Sequence, residues 1–205
     1  MARNSHDLGK LALELRNLGR RVETASIDLA SNEITTSLKE LLGRGLIPSV
    51  VINNAGAAYT GSLAEMELEH WQWLLQLNLT SVFQVFQAVI PILRISGGGL
   101  IINVSSHAAR KAFPEWGAYC TTKAALESLT RCIAEEERTN GIRACTLTLG
   151  AVDSPLWGTN SVCSNFDRRA MLPLEQAAAA LVYLAQQPST QVVEDLTLMP
   201  ATGAL

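Results

Sequence analysis

The sequence predicts an α/β fold in which helices cover both faces of a parallel sheet, the doubly wound, Rossmann-like arrangement. Strand-like and helix-like segments alternate along all 205 residues. The run from Ser49 to Asn53 is a continuous apolar, β-branched stretch, which is typical of a strand buried on both faces. Only 17% of the residues are charged, and this suits a sheet without a solvated face. The length predicts one domain over residues 1–205.

The N-terminal elements follow from the spacing of apolar residues. Leucines three or four apart predict a helix from Asp7 to Leu18, with Ser5 or His6 as its N-cap. Alternation then predicts a strand from Val22 to Leu29, and a second helical pattern runs from Asn32 to Leu42. These elements lead into the apolar strand described above.

Two long apolar helices and two further strands make up the middle of the chain. The helices are predicted from Glu67 to Leu93 and from Trp116 to Asn140, and the strands from Leu100 to Ser105 and from Arg143 to Leu149. Glycines 97–99 precede a strand, whereas phosphate-binding glycines follow a strand and open a helix. We therefore interpret them as a turn.

The C-terminal part begins with a long polar segment from Ser154 to Pro173, whose only aromatic residues are Trp157 and Phe166. A loop of this length is either a functional lid over a site or disordered. An alanine-rich helix from Leu174 to Gln186 and a strand from Val192 to Leu198 complete the chain.

The stretch Leu100 to Lys123, LIINVSSHAARKAFPEWGAYCTTK, contains the candidate chemistry. Tyr119 and Lys123 are four residues apart, so a helix places them one turn apart on one face. An ammonium beside a phenol lowers the phenol pKa toward the range in which tyrosine exchanges protons. A serine from the preceding strand can hydrogen-bond a substrate oxygen. Tyr-x-x-x-Lys alone also occurs on many solvated helix faces.

Further residues stand at matching positions. Ser106 lies thirteen residues before Tyr119, Asn78 lies in the preceding long helix, and Asn53-Asn54-Ala55-Gly56 closes an apolar strand. In these residues the chain resembles the short-chain dehydrogenase/reductase family over nearly its whole length. The resemblance implies a catalytic tetrad composed of Asn78, Ser106, Tyr119 and Lys123.

The resemblance also implies a reaction, hydride transfer between C4 of a nicotinamide and a carbonyl carbon. Tyr119 would pass the proton to the oxygen, and Lys123 would lower its pKa. Ser106 would polarise the carbonyl, and Asn78 would hold a water that connects Lys123 to solvent. The substrate is then a small-molecule carbonyl compound or alcohol.

Cofactor contacts are implied in the same way. Arg3 stands where an arginine favours the 2′-phosphate of NADP, so NADPH is preferred over NADH. Asp28 would reach the adenine amino group, with Leu29 beside it. The remaining implied contacts, to the two riboses and the carboxamide, are Asn54, Ala55, Gly56, Tyr119, Lys123, Gly150, Val152 and Ser154.

The chain departs from the family pattern at its N-terminus. No first strand, glycine-rich turn or first helix is recognisable, and Met1 to Asn4 resemble the end of the family's second strand. The expectation is that roughly one βαβ unit, on the order of 30 residues, is missing. The strand ending at Asp28 would then lack its inner neighbour and be unstable. Two readings stay open: a fragment whose true start lies upstream of Met1, or a catalytically silent binding or assembly subunit.

Composition excludes several classes of partner. A net charge of -3 and a pI near 5.6 provide no basic surface for nucleic acid. No apolar run approaches a membrane span of about 18 to 20 residues. The four cysteines lack metal-ligand spacing and no secretory leader precedes them, so free, largely buried thiols and a cytoplasmic location are expected.

Other enzyme classes fit less well. The Gly-x-Ser-x-Gly elbow of α/β hydrolases is absent. His107 follows Ser106 directly, and successive strand side chains point to opposite faces, so the two form a poor nucleophile and base. The two long helices resemble those that form the family's interfaces, which implies a homodimer or homotetramer.

Overall fold

The computed structural model describes residues 1–31, 34–164 and 166–203. Four strands form one sheet: β1 (Val50–Asn53), β2 (Gly99–Ser106), β3 (Ile142–Leu149) and β4 (Asp195–Leu198). The α-helices in these ranges are α1 (Ser5–Asn17), α2 (Ile34–Leu42), α3 (Leu68–Leu75), α4 (Ser81–Ile95), α5 (Gly117–Glu137) and α6 (Leu174–Ala185). Most predicted bounds differ from these by one to three residues.

The sheet is parallel throughout, in the order β1-β2-β3-β4. In register, Val51 pairs with Ile101, which in turn pairs with Ala144. Because every pair is parallel, the carboxyl ends of the strands share one edge of the sheet. The α/β fold with a parallel sheet is therefore confirmed.

Alternate residues of the strands face different helices. Ile101 and Ala144 pack in a buried cluster with residues of α4 and α5, including Val89 and Ile133. Their strand neighbours Leu100, Ile102, Cys145 and Leu147 pack instead against Leu184 of α6. Helices thus cover both faces, which explains the continuous apolar runs in the strands.

The long helix predicted from Glu67 to Leu93 is interrupted by one π-helical turn, Gln76–Thr80, between α3 and α4. Such single π turns are rare and occur frequently at functional sites. The turn contains Asn78, whose side chain is almost completely buried.

The predicted strand from Val22 to Leu29 is wrong. Only Ser26 in this segment pairs, through an isolated parallel bridge with Ala2, and in the described residues the outer edge of β1 has no strand neighbour. A single bridge does not extend a ladder, so this segment is held mainly by side-chain packing such as that of buried Ile27. This agrees with the expected instability of a strand without an inner neighbour.

Several boundaries also differ. Asn4, rather than Ser5 or His6, caps α1 by accepting hydrogen bonds from the amides of His6 and Asp7. The predicted start of the second helix at Asn32 lies outside the described residues. The last strand begins at Asp195 instead of Val192, and the loop from Ser154 to Pro173 contains two short 3-10 turns.

The thiols are less buried than expected. All four cysteines are free, but only Cys145 is buried, whereas Cys132 and Cys163 are exposed. Cys145 packs in the sheet core, and Cys120 is partly buried against a second apolar cluster.

The prediction that no apolar run approaches a membrane span needs correction. The continuous helical stretch Leu68–Ile95 is long and apolar enough by length and composition. Half of its most apolar window is buried within the fold, and α4 packs against α2. A long apolar helix in the core of a protein has the same length and composition as this stretch.

Candidate active site

A cavity of about 890 Å³ opens at the carboxyl edge of the sheet. Its walls include Asn54 and Gly56 after β1, Ser106 at the end of β2, and Leu149 and Gly150 at the end of β3. Ligands of open parallel sheets bind in this position, outside the carboxyl ends of the strands. The cavity is therefore the candidate functional site.

Tyr119 and Lys123 project into this cavity from the first two turns of α5. Both are buried, with exposed fractions of 9% and 5%. The Lys123 Nζ lies 5.7 Å from the centre of the Tyr119 ring and donates a hydrogen bond of 2.9 Å to the carbonyl oxygen of Val104. The predicted juxtaposition of phenol and ammonium is present.

The expected effect of Lys123 on the phenol is not found. Burial raises the pKa of Tyr119 to about 12, and the nearby Ser106 hydroxyl only partly opposes this. Burial also lowers the pKa of Lys123 to about 8. The expectation of a lowered Tyr119 pKa is therefore wrong for this structure, because desolvation dominates and the ammonium is directed at Val104.

Ser106 ends β2 and caps the short 3-10 turn that follows. Its Oγ accepts a hydrogen bond of 3.2 Å from the amide of Ala108. A hydroxyl that accepts at its oxygen still has its proton to donate. Ser106 can thus donate to an oxygen in the cavity while the cap fixes its position.

Asn78 does not line the cavity but lies behind its wall. Its side-chain amide forms two hydrogen bonds with the backbone of Ala57, at 2.9 and 2.8 Å, and its Nδ2 donates to Thr122 Oγ1 at 3.1 Å. Asn78 therefore joins the loop after β1 to helix α5.

Five of the predicted cofactor residues besides Tyr119 and Lys123 line the cavity, namely Asn54, Gly56, Gly150, Val152 and Ser154. Gly150 leaves no room for a side chain, and Gly56 leaves little. A Cβ on Gly150 would lie 2.5 Å from Pro200 Cδ, and one on Gly56 would lie 3.2 Å from Asn78 Oδ1.

The other four predicted cofactor residues are not part of this cavity. The Asp28 carboxylate accepts a hydrogen bond of 2.9 Å from the amide of Ala30, and Leu29 packs against the core. Arg3 is exposed, and its carbonyl accepts from Ser26 Oγ at 2.8 Å. Ala55 is also exposed. The structure thus brings part of the predicted cofactor site together around the cavity, and the remaining predicted residues lie outside it.

The sequence interpretation missed Trp116 as a site residue. Its ring meets that of Tyr119 edge-on, with 5.7 Å between the centroids, and it lines the cavity. The preceding Glu115 has a φ of +66°, which is uncommon for a residue with a side chain. The position of Trp116, three residues before Tyr119 at the start of α5, was the sequence signal that could have identified it as a site residue.

A polar cluster behind the site was also missed. Glu127 lies one turn beyond Lys123 on α5 and accepts hydrogen bonds from Ser105 Oγ at 3.3 Å and Arg110 Nε at 3.2 Å. Arg110 also contacts Asp195 of β4 at 2.5 Å. The cluster connects the carboxyl end of β2 and the first residue of β4 to α5, which carries Tyr119.

The sequence of this chain is similar to those of known oxidoreductases. The model of the short chain dehydrogenase family matches residues 1–162. A sepiapterin reductase from Chlorobaculum tepidum is 30% identical over 206 residues, covering 98% of this chain and 82% of that protein. An uncharacterised NAD-dependent oxidoreductase from Mycobacterium tuberculosis is 31% identical over 167 residues, covering 79% of this chain and 60% of the other.

A solved structure shows the same fold. An alcohol dehydrogenase from the archaeon Thermococcus sibiricus, complexed with 5-hydroxy-NADP, superposes with a TM-score of 0.88 at 28% identity. The match covers 100% of this chain and 86% of that one.

The parallel sheet and the cavity at its carboxyl edge define the class, an α/β protein of the Rossmann-like type. The family match extends over most of the chain, so the chain belongs to the short-chain dehydrogenase family of oxidoreductases. The resemblance drawn from the sequence is confirmed.

Proposed function

We propose that this protein reduces a carbonyl compound, or oxidises the corresponding alcohol, with Tyr119 as the acid and base. The supporting observation is that Tyr119 and Ser106 both line the cavity, with the Lys123 Nζ 5.7 Å from the centre of the Tyr119 ring. A phenol whose pKa is about 12 stays protonated at neutral pH. It is therefore ready to donate a proton in the direction of reduction.

Each residue has a separate task in this proposal. The Ser106 hydroxyl donates to the substrate oxygen and polarises the carbonyl. Tyr119 gives its proton to that oxygen as the carbon is reduced. Lys123, with a pKa of about 8, is mostly protonated at neutral pH and keeps a positive charge 5.7 Å from the centre of the Tyr119 ring. Asn78 holds the loop after β1 against α5.

A nicotinamide, when bound, supplies or accepts the hydride. The cavity fits that part of the group, because Gly150, Val152 and Ser154 line it on the same side of the sheet as Tyr119 and Lys123, and Ser154 provides a hydroxyl. Tyr119 and Lys123 would hold the ribose, and Gly150, Val152 and Ser154 the carboxamide. The expectation that this chain lacks the family's glycine-rich turn, which would bind the cofactor's phosphates, stays a prediction.

For the choice of cofactor we propose NADPH over NADH. Arg3 supports this, since its side chain is exposed and forms no ion pair with a described carboxylate and an arginine pairs well with a phosphate. The relatives differ, with one named NAD-dependent and one complexed with an NADP derivative. Fluorescence titration of the protein with each nucleotide measures the preference directly.

We also propose a homodimer or homotetramer that assembles through α4 and α5. Between these helices lies an apolar depression of about 350 Å³ lined by Leu79, Thr80, Phe83, Ala125 and Leu129. Phe83 is 41% exposed there, as in surfaces that pack against a second copy.

The four free thiols support a location in the cytoplasm, where thiols stay reduced.

The substitution Tyr119→Phe tests the reaction. It removes only the hydroxyl, and we expect kcat for NADPH-dependent reduction of acetophenone and 2-octanone to fall at least about 100-fold. Tyr183→Phe is the matched control, because Tyr183 is 51% exposed on α6. Circular dichroism establishes that both variants fold. A Tyr119→Phe protein that keeps more than about a tenth of the wild-type rate would contradict the assignment.

A further inference from the structure

Three aromatic side chains form one wall of the cavity beyond Tyr119. The Trp116 and Trp157 ring centroids are 5.8 Å apart, Trp157 and Phe166 are 5.5 Å apart, and Trp116 and Phe166 stack at 6.4 Å. We call these residues the aromatic wall. All three line the cavity and remain only half-buried, so part of each ring faces the open space.

The aromatic wall is fixed in place from two separate segments. Trp157 and Phe166 come from the loop after β3, and Trp157 Nε1 donates a hydrogen bond of 2.7 Å to the carbonyl of Val152. Trp116 comes from the turn before α5, where Gly61 N donates a hydrogen bond of 2.8 Å to the Glu115 carbonyl. The rings are tilted to one another, by 56° between Trp116 and Trp157 and by 78° between Trp157 and Phe166, so they present apolar faces and edges to an aromatic ring.

The wall is adjacent to the reacting group. Trp116 meets the Tyr119 ring edge-on at 5.7 Å. A substrate whose oxygen contacts the Tyr119 hydroxyl and Ser106 therefore places the groups on its carbonyl carbon against Trp116. Those groups decide which substrates bind well.

The aromatic wall itself has no charged group to offer an anionic substrate. Among the described lining residues Lys123 and His107 are those that can be cationic, and Lys123 lies beside the reacting Tyr119 with one hydrogen bond to Val104. The arginines of the nearby loop are paired, Arg168 with Asp153 and Arg169 with Asp167. A carboxylate or phosphate held against the aromatic wall would lose hydration there without a cationic partner.

We propose that the substrate is an uncharged aryl ketone, or the matching secondary alcohol, whose aromatic ring packs against Trp116 and Trp157. This inference rests on the proposed function, because it concerns the same cavity. In reduction, hydride from the dihydronicotinamide adds to the carbonyl carbon, the C=O π electrons move to oxygen, and oxygen takes the Tyr119 proton. The products are the secondary alcohol and the oxidised nicotinamide.

Three probes of similar size separate the possibilities: acetophenone, 2-octanone and 4-acetylbenzoate. The first two have equal carbon counts and are neutral, and the third adds one carboxylate to the aryl ketone. We expect kcat/KM with NADPH to be about tenfold higher for acetophenone than for 2-octanone. We expect at least about a 100-fold lower value for 4-acetylbenzoate, because its carboxylate, para to the acetyl group, would be unpaired against the aromatic wall.

The substitution Trp116→Leu should lower the acetophenone to 2-octanone ratio of kcat/KM toward one. Tyr183→Leu is the control on an exposed aromatic away from the cavity, and it should leave the ratio unchanged. Saturation-transfer NMR of acetophenone with each protein reports binding independently of turnover, and its signal should weaken in Trp116→Leu alone.

The outcomes separate this inference from the proposed function. Equal or better turnover of 2-octanone or 4-acetylbenzoate overturns the substrate class and leaves the reductase assignment standing. Binding of acetophenone that depends on Trp116, without any turnover, supports the aryl site and overturns the reductase assignment. No binding of acetophenone, together with no turnover of any of the three probes, overturns both.

Discussion

The ammonium of Lys123 lies 5.7 Å from the centre of the Tyr119 ring and hydrogen-bonds the backbone of β2 instead of the phenol. Both groups are buried, and burial moves their pKa values in opposite directions, up for Tyr119 and down for Lys123. Each group is therefore shifted toward its neutral form. Protonation of this pair should influence both folding and turnover.

Lys123 should make stability depend on pH. Its folded-state pKa is about 8, below the ordinary 10.5. Between these pH values the unfolded chain binds a proton that the folded chain has released, so the free energy of unfolding rises with pH through this window. Compared with Lys123→Met, the wild type should gain roughly 3 kcal/mol between about pH 7 and about pH 10.5. Cys145 and Tyr119 titrate in both proteins and largely cancel.

Urea unfolding of both proteins across this window provides the measurement. At each pH the free energy of unfolding of Lys123→Met is subtracted from that of the wild type, and the measured quantity is how this difference changes with pH. The loss of the Val104 hydrogen bond in the variant shifts the difference by a constant and does not affect its change. A difference that stays flat from about pH 7 to about pH 10.5 would show that Lys123 is not desolvated in the folded protein.

Alanine substitutions at Gly97 and Gly98 test how the turn before β2 contributes to stability. The φ angles of Gly97 and Gly98 are +86° and +118°, but a Cβ on Gly98 would overlap the carbonyl of Gly141 and one on Gly97 meets open space. Gly97→Ala should cost about 1 to 2 kcal/mol. Gly98→Ala should cost about 3 kcal/mol or more, because backbone must move.

Thermal and urea unfolding of the two variants check this order. Titration with NADPH serves as the second readout, since a turn that only shapes the fold leaves nucleotide affinity unchanged in Gly97→Ala. Equal costs for the two variants would show that the close approach to Gly141 is absent.

The Arg110 cluster should contribute more to stability than an exposed ion pair. The Glu127 side chain is only 8% exposed, and removing Arg110 leaves its carboxylate without its main cationic partner. Arg110 itself is 40% exposed, so we expect Arg110→Met to cost about 2 kcal/mol, below the full value for a buried pair. Arg138→Met, which removes an exposed pair with Glu135, should cost at most about 1 kcal/mol.

The free energy of unfolding in urea measures both variants under one condition. High salt should weaken the Arg138 pair and affect the Arg110 cluster less, because partly buried charges are screened less. If both substitutions cost the same, the cluster does not stabilise the junction of the sheet with α5.

Phe83 tests the proposed assembly. Phe83→Arg places a charge on the apolar depression between α4 and α5 and should convert an oligomer to smaller species. Ile95→Arg is the control, since Ile95 is 89% exposed at the end of the same helix. Light scattering during size-exclusion chromatography gives the mass of each protein. An unchanged mass for Phe83→Arg would place the interface elsewhere.

Much of the fold could be predicted because its signals are local. The apolar strands ending at Asn53, Ser106 and Leu149 are runs that any parallel sheet would bury. The predicted strand from Val22 to Leu29 has an equally clear alternation and still does not form, because a ladder needs a neighbouring strand. The π turn at Gln76–Thr80 has no local pattern that distinguishes it from a helix.

For the site, spacing along the chain determined that Tyr119 and Lys123 share a helix face, and the motif around Ser106 determined the family. Tertiary structure decided what these groups do to each other. Their pKa shifts come from burial by distant segments, and Trp116 meets Trp157 and Phe166 across about 40 to 50 residues of chain. Desolvation and ring contacts depend on which segments pack together, and a residue's neighbours in sequence do not contain that information.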